Sequence, residues 1–351
     1  MGRDILSVRQ IMILLMVGLL APATELLPVV AARQVGGGGW LVGLGMLPVL
    51  LFALWIGSNV FCGDGVCLCA GKPMGYNIII IYLGWIVLTL SAALRLSAAR
   101  MELIYGQPSS VWISVILLAV AVWMGMGKAS ALARAAEIFY LALAVLLTGV
   151  LLLAAFKVEW RNLYPVEWRG LPKGSLLSAG MLLNAAPIAV LGARVPMKMR
   201  SGRRACGWTV VFCVAIVLTL AVVLGNLGSK LSARLDIPYI IMVQGLSIKG
   251  AFQRTEALIA AVWLLSDLVL CGVLLQSWKN CAARIVSEKW GRRSIPVVGA
   301  AVVIGGWLLP LSGGEVREMC LRWLPITGVA LGIVFPGLIL LFFGTKRKRR
   351  G

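Results

Sequence analysis

The chain has 351 residues, 60% of them hydrophobic and only 13% charged, with a mean hydropathy of +0.96. Soluble domains carry about 25% charged residues, so this chain lacks the polar side chains to cover a water-facing surface, and soluble globular and disordered classes are excluded. The net charge of +20 comes from 33 Lys and Arg against 13 Asp and Glu, grouped in short clusters between apolar blocks, a pattern that suits membrane orientation and not nucleic-acid binding.

A bilayer core of about 30 Å needs about 20 apolar residues per helix. Ten apolar segments of about that length follow one another, at residues 10–30, 40–57, 76–96, 111–126, 132–156, 175–195, 207–227, 255–278, 295–311 and 324–344. They predict an all-α polytopic membrane domain spanning 1–351, organised as 1–156 and 175–344 with a basic tail at 345–351. The first segment exceeds a signal-peptide h-region and nine more follow, so it is expected to stay in the mature protein. Lys and Arg concentrate at 194–204, 279–293 and 346–350, which places both termini in the cytoplasm and lets these runs meet anionic membrane lipids. The stretch 228–254 alternates apolar and basic residues and is expected to lie partly on the membrane as an interfacial helix.

Lipid-facing helices cannot leave backbone groups unbonded, so a break at membrane depth belongs in a protein-lined cavity. The first segment contains Ala21-Pro22-Ala23-Thr24-Glu25 and then Pro28, which predicts a discontinuity near residues 21–25. The sixth repeats the pattern in Asn184-Ala185-Ala186-Pro187. Interrupted first and sixth helices are what a five-plus-five inverted repeat places at its central site. Freed amides there suit a carboxylate and freed carbonyls an ammonium, so the expected ligand is a small zwitterion such as an amino acid. The candidate pocket comprises Ala21, Pro22, Ala23, Thr24, Glu25, Asn184, Ala185, Ala186, Pro187 and Asp267. In it Thr24 and Asn184 supply side-chain hydrogen bonds. Glu25 and Asp267 are costly intramembrane carboxylates that must be neutralised by protonation, an ammonium or a cation.

The sequence has no histidine, which removes imidazole-based catalysis and metal binding; no enzyme activity, catalytic residue, metal or cofactor is expected. Cys62, Cys67 and Cys69 fit no common zinc spacing and read as a turn carrying incidental or palmitoylatable thiols. Trp40, Trp112, Trp160, Trp168, Trp290 and Trp323 sit near segment ends, as interfacial indoles do.

Several short stretches resemble the spore germination permease family, the GerAB/GerKB-type membrane B subunits of nutrient germinant receptors. They are Ile5-Leu-Ser7-Val-Arg-Gln10, Leu26-Leu-Pro28-Val-Val-Ala-Ala-Arg-Gln34 with Gly39-Trp40-Leu41, Ala133-Arg134-Ala-Ala-Glu137-Ile138-Phe139 with Asn162-Leu-Tyr-Pro165, and Gly250-Ala-Phe-Gln-Arg254-Thr-Glu256 running into Trp263. The resemblance spans about residues 5–280. It implies ten transmembrane helices in a LeuT-like fold of the amino acid-polyamine-organocation superfamily, with helices one and six broken. It also implies the spore inner membrane, an A subunit and a lipoprotein C subunit as partners, and sensing of a germinant such as an amino acid during spore germination. The competing reading is an ion-coupled amino-acid or polyamine transporter using the same pocket, and a third is a pore that releases solutes when triggered.

Overall fold

A computed structural model of the chain describes residues 6–61, 72–106, 110–186, 199–246, 255–308 and 312–348. They are helical throughout apart from short connections, and a single bridge, Gly36 to Val166, is the β pairing among them. α1 (Val8–Gly18) opens on a capping box in which Ser7 and Gln10 exchange backbone and side-chain bonds. α2 (Leu20–Val35) continues it, and a 3-10 turn at Gly37–Leu41 leads into α3 (Val42–Phe61). Then come α4 (Lys72–Tyr105), α5 (Ser110–Met126), α6 (Ala129–Ala155) and α7 (Leu171–Leu183). α8 (Met199–Leu227) is followed by two short helices, α9 (Ser229–Ser232) and α10 (Pro238–Gln244), before α11 (Thr255–Ile285) and α12 (Glu288–Leu308). α13 (Gly313–Val329) passes through a π turn at Ala330–Val334 into α14 (Phe335–Lys348). The ladder widens there just ahead of Pro336, which has no N–H to donate to Gly332.

Six helices among the described residues are long and apolar enough to cross a bilayer, seven when the bent α1–α2 pair is one span. The other predicted segments are helical too but fall short of that measure. α5 is apolar and brief, α7 stops at Leu183, and α12 begins with the charged turn Glu288, Lys289, Arg292 and Arg293. The chain is an integral, multi-pass membrane protein. α11 is its central post, with 72% of its apolar stretch buried, whereas α6 buries 17% and turns Leu141, Val145 and Leu152 outward to lipid.

Small residues set the close crossings. A Cβ on Gly328 of α13 would stand 1.7 Å from the Gly180 carbonyl of α7, and one on Gly180 would stand 2.3 Å from the Pro325 carbonyl. Only two bare backbones fit at this contact.

Two expectations are corrected. The first span breaks at Leu19 with a 56° bend, ahead of the 21–25 window. Pro22 cannot donate to the Gly18 carbonyl and its ring crowds that oxygen, so the chain turns one helical turn before the proline. Pro28, in contrast, lies inside an unbroken α2. The described part of the stretch 228–254 packs into the bundle more than an interfacial helix would: Ile237, Tyr239, Ile240, Met242 and Val243 are buried against α2 and α11, while Leu231 and Ile241 stay exposed. In the sixth segment α7 ends at Leu183, with Asn184 as its cap and Ala185 in a turn; Pro187 lies outside the described residues, as do Cys62, Cys67 and Cys69.

Candidate functional site

The bend leaves main-chain groups free at mid-bundle, and a serine of α11 satisfies them. Ser266 Oγ accepts the Ala21 N–H at 2.9 Å and donates toward the Val17 carbonyl at 2.7 Å, with the Gly18 carbonyl at 3.3 Å. The hydroxyl thus stands between the two groups that would have bonded each other in a straight helix. One turn further on, Thr24 Oγ1 donates back to the Leu20 carbonyl at 2.9 Å and accepts the Trp263 Nε1–H at 2.8 Å.

Beyond Thr24 lies a buried ionic chain. Glu25, with no exposed surface, accepts from Arg100 Nη1 at 2.5 Å through Oε2 and from Arg317 Nε at 3.0 Å through Oε1. Arg100 Nη2 also bonds Asp267 Oδ2, and its guanidinium lies 5.6 Å from the Trp263 ring centroid. Arg317 extends the chain outward to Asp236 at 3.2 Å, a residue whose side chain is 59% exposed. Two buried carboxylates therefore face two buried guanidiniums, and the neutralising partner is a pair of arginines from α4 and α13. Such a quartet costs desolvation to assemble, and losing one member strands the others.

The predicted residues divide into two networks. Ala21, Thr24, Glu25 and Asp267 meet around Ser266 and Arg100; Ala21 and Ala23 are buried and Pro22 is half-buried beside them. Asn184 belongs to a separate set that shares no residue with the first. Its Oδ1 accepts from Trp85 Nε1 and Thr327 Oγ1, each at 3.1 Å, and its Nδ2 donates to the Leu324 carbonyl at 2.7 Å and the Gly180 carbonyl at 3.1 Å. Ala185 is buried and Ala186 is half-buried. The side chains of Thr24 and Asn184 are thus already engaged with protein partners.

Sequence reasoning missed Arg100 and Arg317 because it assigned both to loops. α4 runs on to Tyr105, and α13 starts at Gly313 behind a second capping box made by Ser312 and Glu315. That Ser-x-x-Glu pattern was legible and would have moved the helix start ahead of Arg317.

Two cavities flank the bend. One, of about 90 Å³, is almost wholly apolar and lies between α1, α3, α7 and α8, lined by Met12, Leu15, Leu50, Leu183, Ala186 and Phe212 among others. The second, of about 210 Å³, is walled by both arms of the bent helix (Met16 and Val17, then Leu20 and Thr24) and by α6 and α8. No group of three potential metal ligands occurs among the described residues. At the rim, Arg33 of α2 makes a bidentate pair with Glu318 of α13 at 2.6 and 3.2 Å and also donates to the Ala233 carbonyl at 3.0 Å.

Neither protein-family models nor curated protein sequences match this chain. Among solved structures, that of MhsT in complex with L-phenylalanine is similar, with a TM-score of 0.65 and 15% identity, covering 97% of this chain and 99% of that one. The chain therefore has a LeuT-like fold, as the paired interruptions in the first and sixth segments and the family resemblance led us to expect.

Proposed function

We propose that this chain is the membrane subunit of a spore nutrient germinant receptor, and that it senses a small germinant such as an amino acid beside its bent first helix. Its partners in that reading are an A subunit and a lipoprotein C subunit, and its site is the spore inner membrane with both termini toward the spore core. The sequence stretches at 5–41, 133–165 and 250–263 support the family, and the LeuT-like fold, seen in a neighbour solved with L-phenylalanine, supports an amino-acid ligand.

The observation that carries sensing over transport is the ionic chain. Glu25, Arg100, Asp267 and Arg317 tie α2, α4, α11 and α13 together in the bundle interior. Moving α2 against α4, α11 and α13 must separate buried pairs, and stranding one member of such a pair costs about 3–5 kcal/mol. A carrier crosses that barrier in every cycle; a receptor crosses it once, when ligand favours the second state. Tenfold tighter binding to one state shifts the balance by about 1.4 kcal/mol, which suffices for a signal when the two states are close in energy.

The test uses a spore-forming host. Spores carrying this chain with its A and C partners should germinate on amino acids, spores lacking it should not, and the purified chain in proteoliposomes should not accumulate labelled amino acid. Concentrative uptake by the chain alone would select the transporter reading instead.

A further inference from the structure

The larger cavity has properties the germinant reading does not use. Among the described residues its walls, Leu143, Leu147, Val211, Phe212, Ile216 and Leu220 included, carry no Asp, Glu, Lys or Arg. A zwitterion would meet no counter-charge there, and its desolvation would go uncompensated. Thr148 and Val211, both exposed, mark the side on which the cavity opens between α6 and α8, at membrane depth. Entry is therefore from the bilayer.

At its inner end the cavity shares Leu20, Thr24 and Leu147 with a void of about 10 Å³ that is also lined by Tyr239, Val262 and Trp263. Tyr239 is 1% exposed, and its hydroxyl has no hydrogen-bond partner. Burial raises its pKa well above the ordinary tyrosine value, so the phenol keeps its proton and remains a donor. A buried hydroxyl without a partner is uncommon and needs an occupant for its bond. The neighbouring Thr24 oxygen is already taken up by Leu20 and Trp263, which leaves Tyr239 as the group to be satisfied.

We propose that this chain binds a neutral amphiphile laterally from the membrane, its apolar body between α6 and α8 and its uncharged polar end at the Tyr239 hydroxyl. The site is distinct from the polar centre around Ser266 and Arg100 and does not depend on the germinant assignment. Because Met16 and Val17 stand on one side of the Leu19 pivot and Leu20, Ala23 and Thr24 on the other, the occupant touches both arms of the bend. Its binding is coupled to the angle between them.

The experiment is photolabelling of the full chain in phosphatidylglycerol nanodiscs with three diazirine probes: an eight-carbon primary alcohol, the corresponding alkylammonium, and a phospholipid labelled in its acyl chain. The alcohol should label residues of α6 and α8 facing the cavity saturably, in competition with unlabelled octanol. The ammonium should compete at least tenfold less well. Tyr239→Phe, which keeps the ring and its packing, should weaken the alcohol about fivefold, the worth of one hydrogen bond. Ala144→Trp should abolish labelling in protein whose thermal unfolding is unchanged. Non-saturable labelling, affinity equal in Tyr239→Phe and wild type, or stronger labelling by the phospholipid than by the alcohol would overturn the proposal, the last by making the cavity a slot for lipid tails.

Discussion

Ser266 completes the backbone of Ala21, accepting its amide N–H at 2.9 Å across 245 residues of sequence. The same hydroxyl donates to the Val17 carbonyl, so one side chain of α11 seals the break that Pro22 opens in the first span. Ser266→Ala leaves both groups buried and unbonded. Each such group costs about 1–3 kcal/mol, and we expect a clear drop in the unfolding temperature of the purified chain. Ser266→Thr keeps the hydroxyl and should retain most of the stability. Equal loss in both variants would mean that packing, not the hydrogen bonds, holds the bend.

Removing Arg100 is expected to do more damage than removing either of its partners. Arg100→Met strands Glu25 and Asp267 in a dry interior, with only Arg317 left to serve Glu25. The expected loss is about 3–5 kcal/mol. The triple change Arg100→Met, Glu25→Gln, Asp267→Asn removes three of the four buried charges, leaves Arg317 its pair with Asp236, and should recover much of that loss, read as unfolding midpoint in detergent. If the triple variant were no more stable than the single one, the electrostatic account of the cluster would be wrong.

These two cases show which parts of the site could be read from sequence. The bend was legible because proline acts locally: Pro22 removes a specific donor, and only the position, one turn earlier, needed the structure. Glu25 and Asp267 were legible because a carboxylate inside an apolar run is costly wherever it lies. Their partners were hidden, since a hydropathy window ends a helix where charge begins, while α4 and α13 extend past that point with Arg100 and Arg317 turned inward. Ser266 could be noted as a hydroxyl inside an apolar helix, but its part in the bend could not, because its partners Ala21 and Val17 lie on a different span. Asn184 stood out as a polar side chain at the expected interruption of the sixth segment, but its bonds to Trp85, Leu324 and Thr327 depend on which helices neighbour it.

The α7–α13 crossing yields a matched pair of glycine substitutions. Gly328→Ala places a methyl where the Gly180 carbonyl stands and also 2.9 Å from Asn184 Nδ2, so the two helices must separate and the Asn184 bonds lengthen. Overpacking of this kind costs about 1–3 kcal/mol or more. Gly149→Ala, within α6 with open space around its Cβ position, should instead be neutral or stabilise by up to about 1 kcal/mol through helix propensity. Folded yield and unfolding midpoint, measured side by side, separate the two outcomes. Similar losses in both would show that the crossing has slack.

Arg33 joins the outer end of α2 to α13 through Glu318 and to the short helical stretch between α8 and α11 through the Ala233 carbonyl. Its pair with Glu318 is 37% and 45% exposed, so its contribution to global stability is expected to stay below about 1 kcal/mol. Its effect should be local. A guanidinium serves the carboxylate with two nitrogens and the carbonyl with a third, a geometry an ammonium cannot reproduce. Arg33→Lys should leave the unfolding temperature within a few degrees of wild type yet speed amide exchange across residues 229–244, where α9 and α10 lie. Glu318→Gln, which keeps the Ala233 bond available, should speed it less. Unchanged exchange in Arg33→Lys would show that burial of Tyr239, Met242 and Val243 alone holds this segment against the bundle.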